Sequence, residues 1–442
     1  MNKALRLPFN TSRFLLAVMA LYLCLGNLPR VIPLPGFSDN LAISEFLVFL
    51  LAPLVALSQG RLIRCLKFIL PLLLVIGFSF AWGTFLNGFD PKSAMYAARL
   101  GLQLLVGSIV GDILYRRYQA DTRRGLQYFL GIYLVLLFLG AGIFVLFPES
   151  ARLWAFLSSF GVTFLGDPHV YRFYSTYFDP NFYAAIALIP VLISTALHGI
   201  TRQSRYHAIT ALFVVSILLS GSRSGIATAI AMVVLLNLGK LRAFVRLKVS
   251  RRAMTSLLLG AFAFIALSPI YLNSVLRVLG RMVGMQEDGS ALQRLKSFMY
   301  GLEVFSEHPL LGVGYNYLDY RAAIDVGSQK LDSSLLYLCT NFGLILTWIL
   351  LVLALLWIVN VARLLPKQAE QDPHTVQLFW SLLVYLVVCL LFTSQFNNLI
   401  VYQFWLIPMV VIFVYLTKWA KAGPSLSRVA SPEGLSPRAP VA

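Results

Sequence analysis

Twelve apolar runs, each about as long as a bilayer is thick, decide what this chain can fold into. A helix crossing hydrocarbon needs about 20 mostly apolar residues and must pair its own backbone groups internally. Runs meeting that measure lie near residues 13–29, 41–59, 66–86, 94–114, 126–147, 182–198, 206–221, 224–239, 253–272, 333–362, 376–394 and 398–418. The seventh and eighth are shortish and are divided by Ser220-Gly221-Ser222-Arg223-Ser224-Gly225. Charged residues make up only 12% of the chain, against roughly 25% in a soluble domain. The expected fold class is therefore all-α: a polytopic membrane protein of about twelve transmembrane helices.

The basic residues orient these helices. With the N-terminus in the cytoplasm, 24 of the 36 Lys and Arg fall in inside segments, and every inside segment holds some of them. The net charge of +18 is read in this light, as loops lying against anionic membrane lipid rather than as a nucleic-acid surface. The expected layout is a cytoplasmic N-terminus (1–12), nine helices (13–272), a large outer loop (273–332), three helices (333–418) and a disordered cytoplasmic tail (419–442). No cleavable signal peptide is expected, because Gly26-Asn27-Leu28-Pro29-Arg30 after the first run is a poor cleavage site. The scattered cysteines, Cys24, Cys65, Cys339 and Cys389, have neither disulfide-framework nor metal-knuckle spacing.

The outer loop is far longer than a connection requires, which marks it as functional. It is basic at its front (Arg277, Arg281, Arg294, Lys296) and acidic in its middle (Glu287, Asp288, Glu303, Glu307). Leu292, Leu295, Phe298, Met299, Leu302 and Phe305 recur at helical spacing, predicting an amphipathic helix over about 290–306. Gly312 and Gly314 then predict a tight turn. A second outer segment, 148–182, holds an apolar piece (153–165) too short to span. It continues through Arg172 and a tyrosine-rich stretch to Asp179-Pro180-Asn181. Outside arginines at membrane depth need an anion or a wet cavity, because desolvating a guanidinium is costly. The aromatics Tyr171, Phe173, Tyr174, Tyr177, Tyr315, Tyr317 and Tyr320 suit an interfacial belt, with sugar stacking as the alternative.

Four stretches coincide with motifs of one family. Arg172…Phe178-Asp179-Pro180-Asn181, Gly221-Ser222-Arg223-Ser224-Gly225, Arg294…His308-Pro309-Leu310-Leu311-Gly312-Val313-Gly314 and Asp332-Ser333-Ser334…Asn341-Phe342-Gly343-Leu344 occur in this order along the chain. Together they resemble the O-antigen ligase and polymerase superfamily over about residues 165–350. The resemblance implies a GT-C-like fold and an inner-membrane glycosyltransferase with its active face in the periplasm. It implies a donor glycan carried on undecaprenyl diphosphate, passed to another lipid-linked unit by a polymerase or to lipid A-core or protein by a ligase. A chain-length regulator protein is a further implied partner. Ligases typically place histidine where this chain has Asp332 and asparagine where it has Ser333, so the departure favours a polymerase.

Breaking the anomeric bond builds negative charge on a departing diphosphate, which planar guanidinium groups grip bidentately. Arg223 and Arg294 are the expected grips, with Arg172 the third. The acceptor hydroxyl must lose a proton to a base within hydrogen-bond reach. Asp332 is the expected base, or else the N-cap of the tenth helix; His308 is the second candidate. Arg277, Arg281, Asp179, Asn181, Tyr315 and Ser333 complete the expected substrate contacts, Asp179 being equally a turn residue at the helix start. No metal-ligand cluster and no cofactor motif is visible. A lipid-linked glycan transporter ranks third, since ionisable residues avoid mid-membrane apart from Glu45 and no internal repeat is seen.

Overall fold

The protein's structure, a computed structural model, describes residues 11–31, 43–159, 169–244, 289–318, 331, 333–365, 368, 372–391, 393 and 398–422. Thirteen α-helices occur among the described residues. In chain order they are α1 (Thr11–Leu25), α2 (Ile43–Ser58), α3 (Leu62–Asn87), α4 (Pro91–Tyr118), α5 (Thr122–Leu146), α6 (Ser150–Ser158) and α7 (Pro180–Thr201). There follow α8 (Arg205–Leu219), α9 (Arg223–Phe244), α10 (Gly289–Glu307), α11 (Ser334–Ala362), α12 (Pro373–Leu391) and α13 (Gln403–Ala422).

Seven of these, α3, α4, α5, α7, α11, α12 and α13, are long and apolar enough to cross a membrane. Four shorter apolar helices, α1, α2, α8 and α9, fall on other predicted runs. The run near 253–272 lies outside the described residues, as do Arg277, Arg281 and Asp332. The fold is that of an all-α polytopic membrane protein. The amphipathic helix expected in the outer loop is α10; of the short apolar piece expected over 153–165, residues 153–158 fall in α6 and residues 160–165 lie outside the described residues.

Among the seven spans, α4 and α13 are the most deeply buried and α3 and α11 the least. Two glycines bring the central pair together: a Cβ at Gly107 would lie 2.7 Å from the Val410 side chain. A Cβ at Gly111 would lie 2.8 Å from Val414 Cβ and from the Val411 carbonyl. Glycines four apart present one smooth stripe, so two membrane helices approach closely and gain dispersion contacts that lipid tails cannot match. On the outer shell, α3 and α11 expose Leu74, Phe78, Trp348 and Leu355, as a lipid-facing surface requires.

α4 and α13 run parallel, and side-chain contacts therefore identify two ends of the bundle. At one end Asp112 of α4, with 5% side-chain exposure, takes Arg61 (3.5 Å), Arg116 (3.2 Å) and Lys418. Those three cations come from three segments that the sequence assigns to one side of the membrane. At the other end Arg99 of α4 grips Glu45 of α2 through Nε (2.5 Å) and Nη2 (2.9 Å), and Nη2 also reaches Gln403 Oε1 at the start of α13 (2.9 Å). Glu45, which the sequence leaves as the exceptional acid within an apolar run, is thus neutralised.

Candidate functional site

The second end of the bundle holds the described motif residues in two places. The first is built on the segment that leads into α7. Tyr171, Ser175 and Phe178 all adopt left-handed backbone, with φ of 52°, 54° and 59°. Each such residue costs about 1–3 kcal/mol, and the conformation persists only where the surroundings over-determine it. Here they do. The Thr176 hydroxyl donates to the Cys24 carbonyl (2.9 Å), the Tyr174 hydroxyl to the Phe147 carbonyl (2.8 Å), and Asn27 Nδ2 to the Tyr177 carbonyl (2.6 Å). Phe173, Tyr174 and Tyr177 are buried in this packing, as are Tyr315 and Tyr317 further along. The belt reading is corrected for these five rings: they are core. Burial satisfies their faces, while the hydroxyls of Tyr174, Tyr177 and Tyr317 donate to the carbonyls of Phe147, Leu23 and Gly88.

This loop delivers Arg172. Its Nε donates to the Ser220 carbonyl at 2.8 Å, and its Nη2 to Asn181 Oδ1 at 3.1 Å and the Gly221 carbonyl at 3.5 Å. The Phe173 amide adds a bond to the Leu219 carbonyl, 3.0 Å. One side chain therefore ties the start of α7 to the turn between α8 and α9. Gly221 makes that turn with φ of 60°, and the Ser222 hydroxyl accepts the Gly225 amide (3.1 Å), starting α9 at Arg223. Arg223 is half-buried two residues beyond the carbonyl that Arg172 holds. Asp179 caps α7, its Oδ1 accepting the amides of Asn181 (2.7 Å) and Phe182 (3.1 Å), with Pro180 at the first helical position.

The second place is a break in α11. Gly343 leaves the helix with φ 64° and ψ −179°, so two i→i−4 bonds fail: Leu344 to Thr340 and Ile345 to Asn341. Four backbone groups would then be orphaned at membrane depth, at several kcal/mol each. The His308–Gly314 segment replaces almost all of what is lost. The Pro309 carbonyl takes the Leu344 amide (2.9 Å) and the Leu310 carbonyl takes the Ile345 amide (3.0 Å). The Val313 amide returns a bond to the Thr340 carbonyl (2.8 Å), while the Ser79 hydroxyl of α3 serves the Asn341 carbonyl (2.9 Å). Asn341 Oδ1 also accepts the Asn316 amide (2.8 Å), and Trp82 Nε1 donates to the Gly312 carbonyl (3.0 Å). Two motifs that are about thirty residues apart in the chain are thus one hydrogen-bonded joint.

His308 sits half-buried at the end of α10, its carbonyl accepting the Gly312 amide (3.0 Å). Tyr315 is 3% exposed and packs on Phe342 (5.6 Å). The cap of α11 is Ser333, whose hydroxyl accepts the Leu336 amide at 3.2 Å; the sequence had offered that task to Asp332. Arg294 falls within α10.

Residues 208–351 match the family model described as O-antigen ligase. Over this segment, about a third of the chain, the match supports the resemblance to the O-antigen ligase/polymerase superfamily. The match runs from α8 into α11 and includes Arg223, Arg294, His308 and the joint at Gly343. Arg172, Asp179 and Asn181 precede the O-antigen ligase-family segment, yet Arg172 is bonded to two of its carbonyls. No curated protein matches the chain. Sequence reasoning missed Ser79 and Trp82 as partners of the joint, and read Asn341 as a motif residue without its bond to Asn316. The local sign of Ser79 and Trp82 is a polar group inside an apolar run, where each needs a named partner.

Proposed function

We propose that this membrane protein is an inner-membrane glycosyltransferase that takes a glycan from undecaprenyl diphosphate at the periplasmic face and passes it to another lipid-linked repeat unit. The family match supports the general class, lipid-linked glycan transfer. The observation that carries the reading is the bonding of Arg172 to both Asn181 and the turn that begins α9, which sets two arginines beside one turn at one end of the bundle. Fixed guanidinium groups suit a reaction whose leaving group gains charge on phosphate oxygens.

In this mechanism the acceptor hydroxyl attacks the anomeric carbon as the bond to the diphosphate breaks, and the electron pair leaves with the diphosphate. Arg223 and Arg294 hold that diphosphate, with Arg172 beside them. Asp332 removes the hydroxyl proton, with His308 the second candidate, while Arg277, Arg281, Asn181 and Ser333 flank the sugars. Aspartate and serine at 332–333 favour the polymerase reading. The description of the matched family favours a ligase, which shares the donor and differs in acceptor.

The test is turnover of an undecaprenyl-diphosphate repeat unit by the purified protein. Arg223→Ala is expected to cut product formation by about 10²–10³-fold, as removal of a pre-aimed charge does elsewhere. Lysine should rescue poorly for want of a bidentate fork. Lengthened lipid-linked chains mark a polymerase, and transfer only to lipid A-core or protein marks a ligase. Full activity in both Arg223→Ala and Arg294→Ala would overturn the proposal.

A further inference from the structure

The loop that carries Arg172 and the start of α11 both bind the same short turn. That turn, 398–402, leads into α13 at Gln403. At one edge Asn398 Oδ1 accepts the Ser334 hydroxyl at 3.0 Å, next to the Ser333 cap of α11. At the other edge the Tyr402 ring stacks on Phe182, centroids 4.0 Å apart and planes 18° from parallel. Phe182 directly follows Asn181, which holds Arg172.

The turn is itself anchored from beneath. Gln403 is 2% exposed, and its Oε1 takes Arg99, whose guanidinium is locked bidentately by the fully buried Glu45. Asn27 at the end of α1 closes the assembly. Its Nδ2 is 2.6 Å from the Tyr177 carbonyl and 3.4 Å from the Tyr402 hydroxyl, and its amide donates to the Thr176 carbonyl at 2.9 Å. A buried ion pair is a poor source of net stability, because desolvation offsets most of its attraction, but it fixes the geometry of what it touches. A ring stack fixes distance and tilt in the same way.

We infer that Tyr402 is a positioning residue. Anchored through Gln403 to Arg99 and Glu45, it sets the place of the Arg172–Asn181 pair relative to the Ser333 cap that starts α11. The inference rests on the glycosyltransferase reading for its consequence in rate, and on the contacts alone for its consequence in structure. In this inference Tyr402 acts through Phe182 and Asn181. A displacement of about one ångström between reacting groups is enough to cost on the order of 100-fold in turnover.

The test uses the full chain in lipid nanodiscs with an undecaprenyl-diphosphate repeat unit. Tyr402→Leu removes the stack, and Tyr402→Phe keeps it while deleting the hydroxyl. Tyr402→Leu is expected to lower kcat by about 10–100-fold with KM changed less than about threefold, and Tyr402→Phe to retain most of kcat. In an Arg172→Ala background, Tyr402→Leu should cost almost nothing more, because its effect passes through Arg172. Hydrogen exchange over residues 172–182 provides a readout independent of activity: Tyr402→Leu should accelerate it about tenfold, and Gln403→Leu should do so as well. Unchanged exchange in Tyr402→Leu overturns the inference, as does a loss of kcat that adds fully to that of Arg172→Ala. Accelerated exchange with no transfer in the unaltered protein would leave the brace standing and sink the glycosyltransferase reading instead.

Discussion

The two ends of the bundle hold their cations in opposite ways. At one end a single buried carboxylate, Asp112, draws in Arg61, Arg116 and Lys418 from three separate segments. At the other, Arg172 is fixed by two main-chain carbonyls and an amide oxygen, on a loop held in left-handed backbone. The first arrangement depends on charge and tolerates some movement of long side chains. The second depends on backbone position, because carbonyls accept a guanidinium only along defined directions. An end built in the first way ties helices together; an end built in the second way aims a side chain. The comparison therefore predicts that the two ends fail differently.

The largest effect is expected where the aimed end relies on a backbone conformation. Gly343→Ala places a Cβ at φ 64° and 2.3 Å from the Leu310 carbonyl oxygen, inside the joint between α11 and the His308–Gly314 segment. Strain and the loss of up to four exchanged bonds should cost more than about 4 kcal/mol, so the variant should not accumulate as a folded protein. Monodisperse elution from detergent with a normal Tm would show that the joint is not needed.

The next pair of variants separates the ends directly. Asp112→Ala should lower stability by about 2–3 kcal/mol, less than a fully enclosed pair because its three cations are 27%, 31% and 38% exposed. Its turnover per folded molecule should be unchanged. Arg172→Lys should do the reverse, with Tm shifted by a few degrees and turnover down by about 10²-fold, since one ammonium cannot span Ser220, Gly221 and Asn181 together. Thermal unfolding followed in parallel with donor turnover decides between them. Equal losses in both measures for both variants would erase the distinction between the ends.

The same contrast explains what the sequence disclosed. Apolar runs were readable because a membrane imposes length and internal backbone pairing on every span, and helices coincide with the runs now described. Pairing of Glu45 with Arg99 was within reach on cost alone, since two opposite charges in adjoining apolar runs rarely stay apart. The buried tyrosines were misplaced because a ring with a hydroxyl fits a membrane interface and a hydrogen-bonded core equally well. The joint at Gly343 was out of reach. Its motif residues were legible as a resemblance, but the exchange of bonds with Pro309, Leu310, Val313 and Ser79 is set by distant backbone and leaves no periodic trace.

The smallest effect expected concerns a cap that borders the joint. Asp90 precedes α4 and accepts the Ser93 amide (2.8 Å) and hydroxyl (2.6 Å), while the same hydroxyl lies 3.0 Å from the Asn316 carbonyl. Partial burial pushes the Asp90 carboxyl up, but the Ser93 hydroxyl and amide, the Lys92 amide and the Lys92 charge together hold it below the ordinary carboxylate range. A depressed folded-state pKa gives stability that is present above the unfolded value and is lost as pH falls through the folded one. Asp90→Asn keeps a capping oxygen, so its stability at neutral pH should fall within about 1 kcal/mol of the unaltered protein. Between neutral pH and about pH 3 the unaltered protein should lose more stability than Asp90→Asn does, because only the carboxylate can be discharged. Parallel acid-dependence curves for the two would mean that this cap carries no charge-linked share of the stability, and that the aimed end is held by its carbonyls alone.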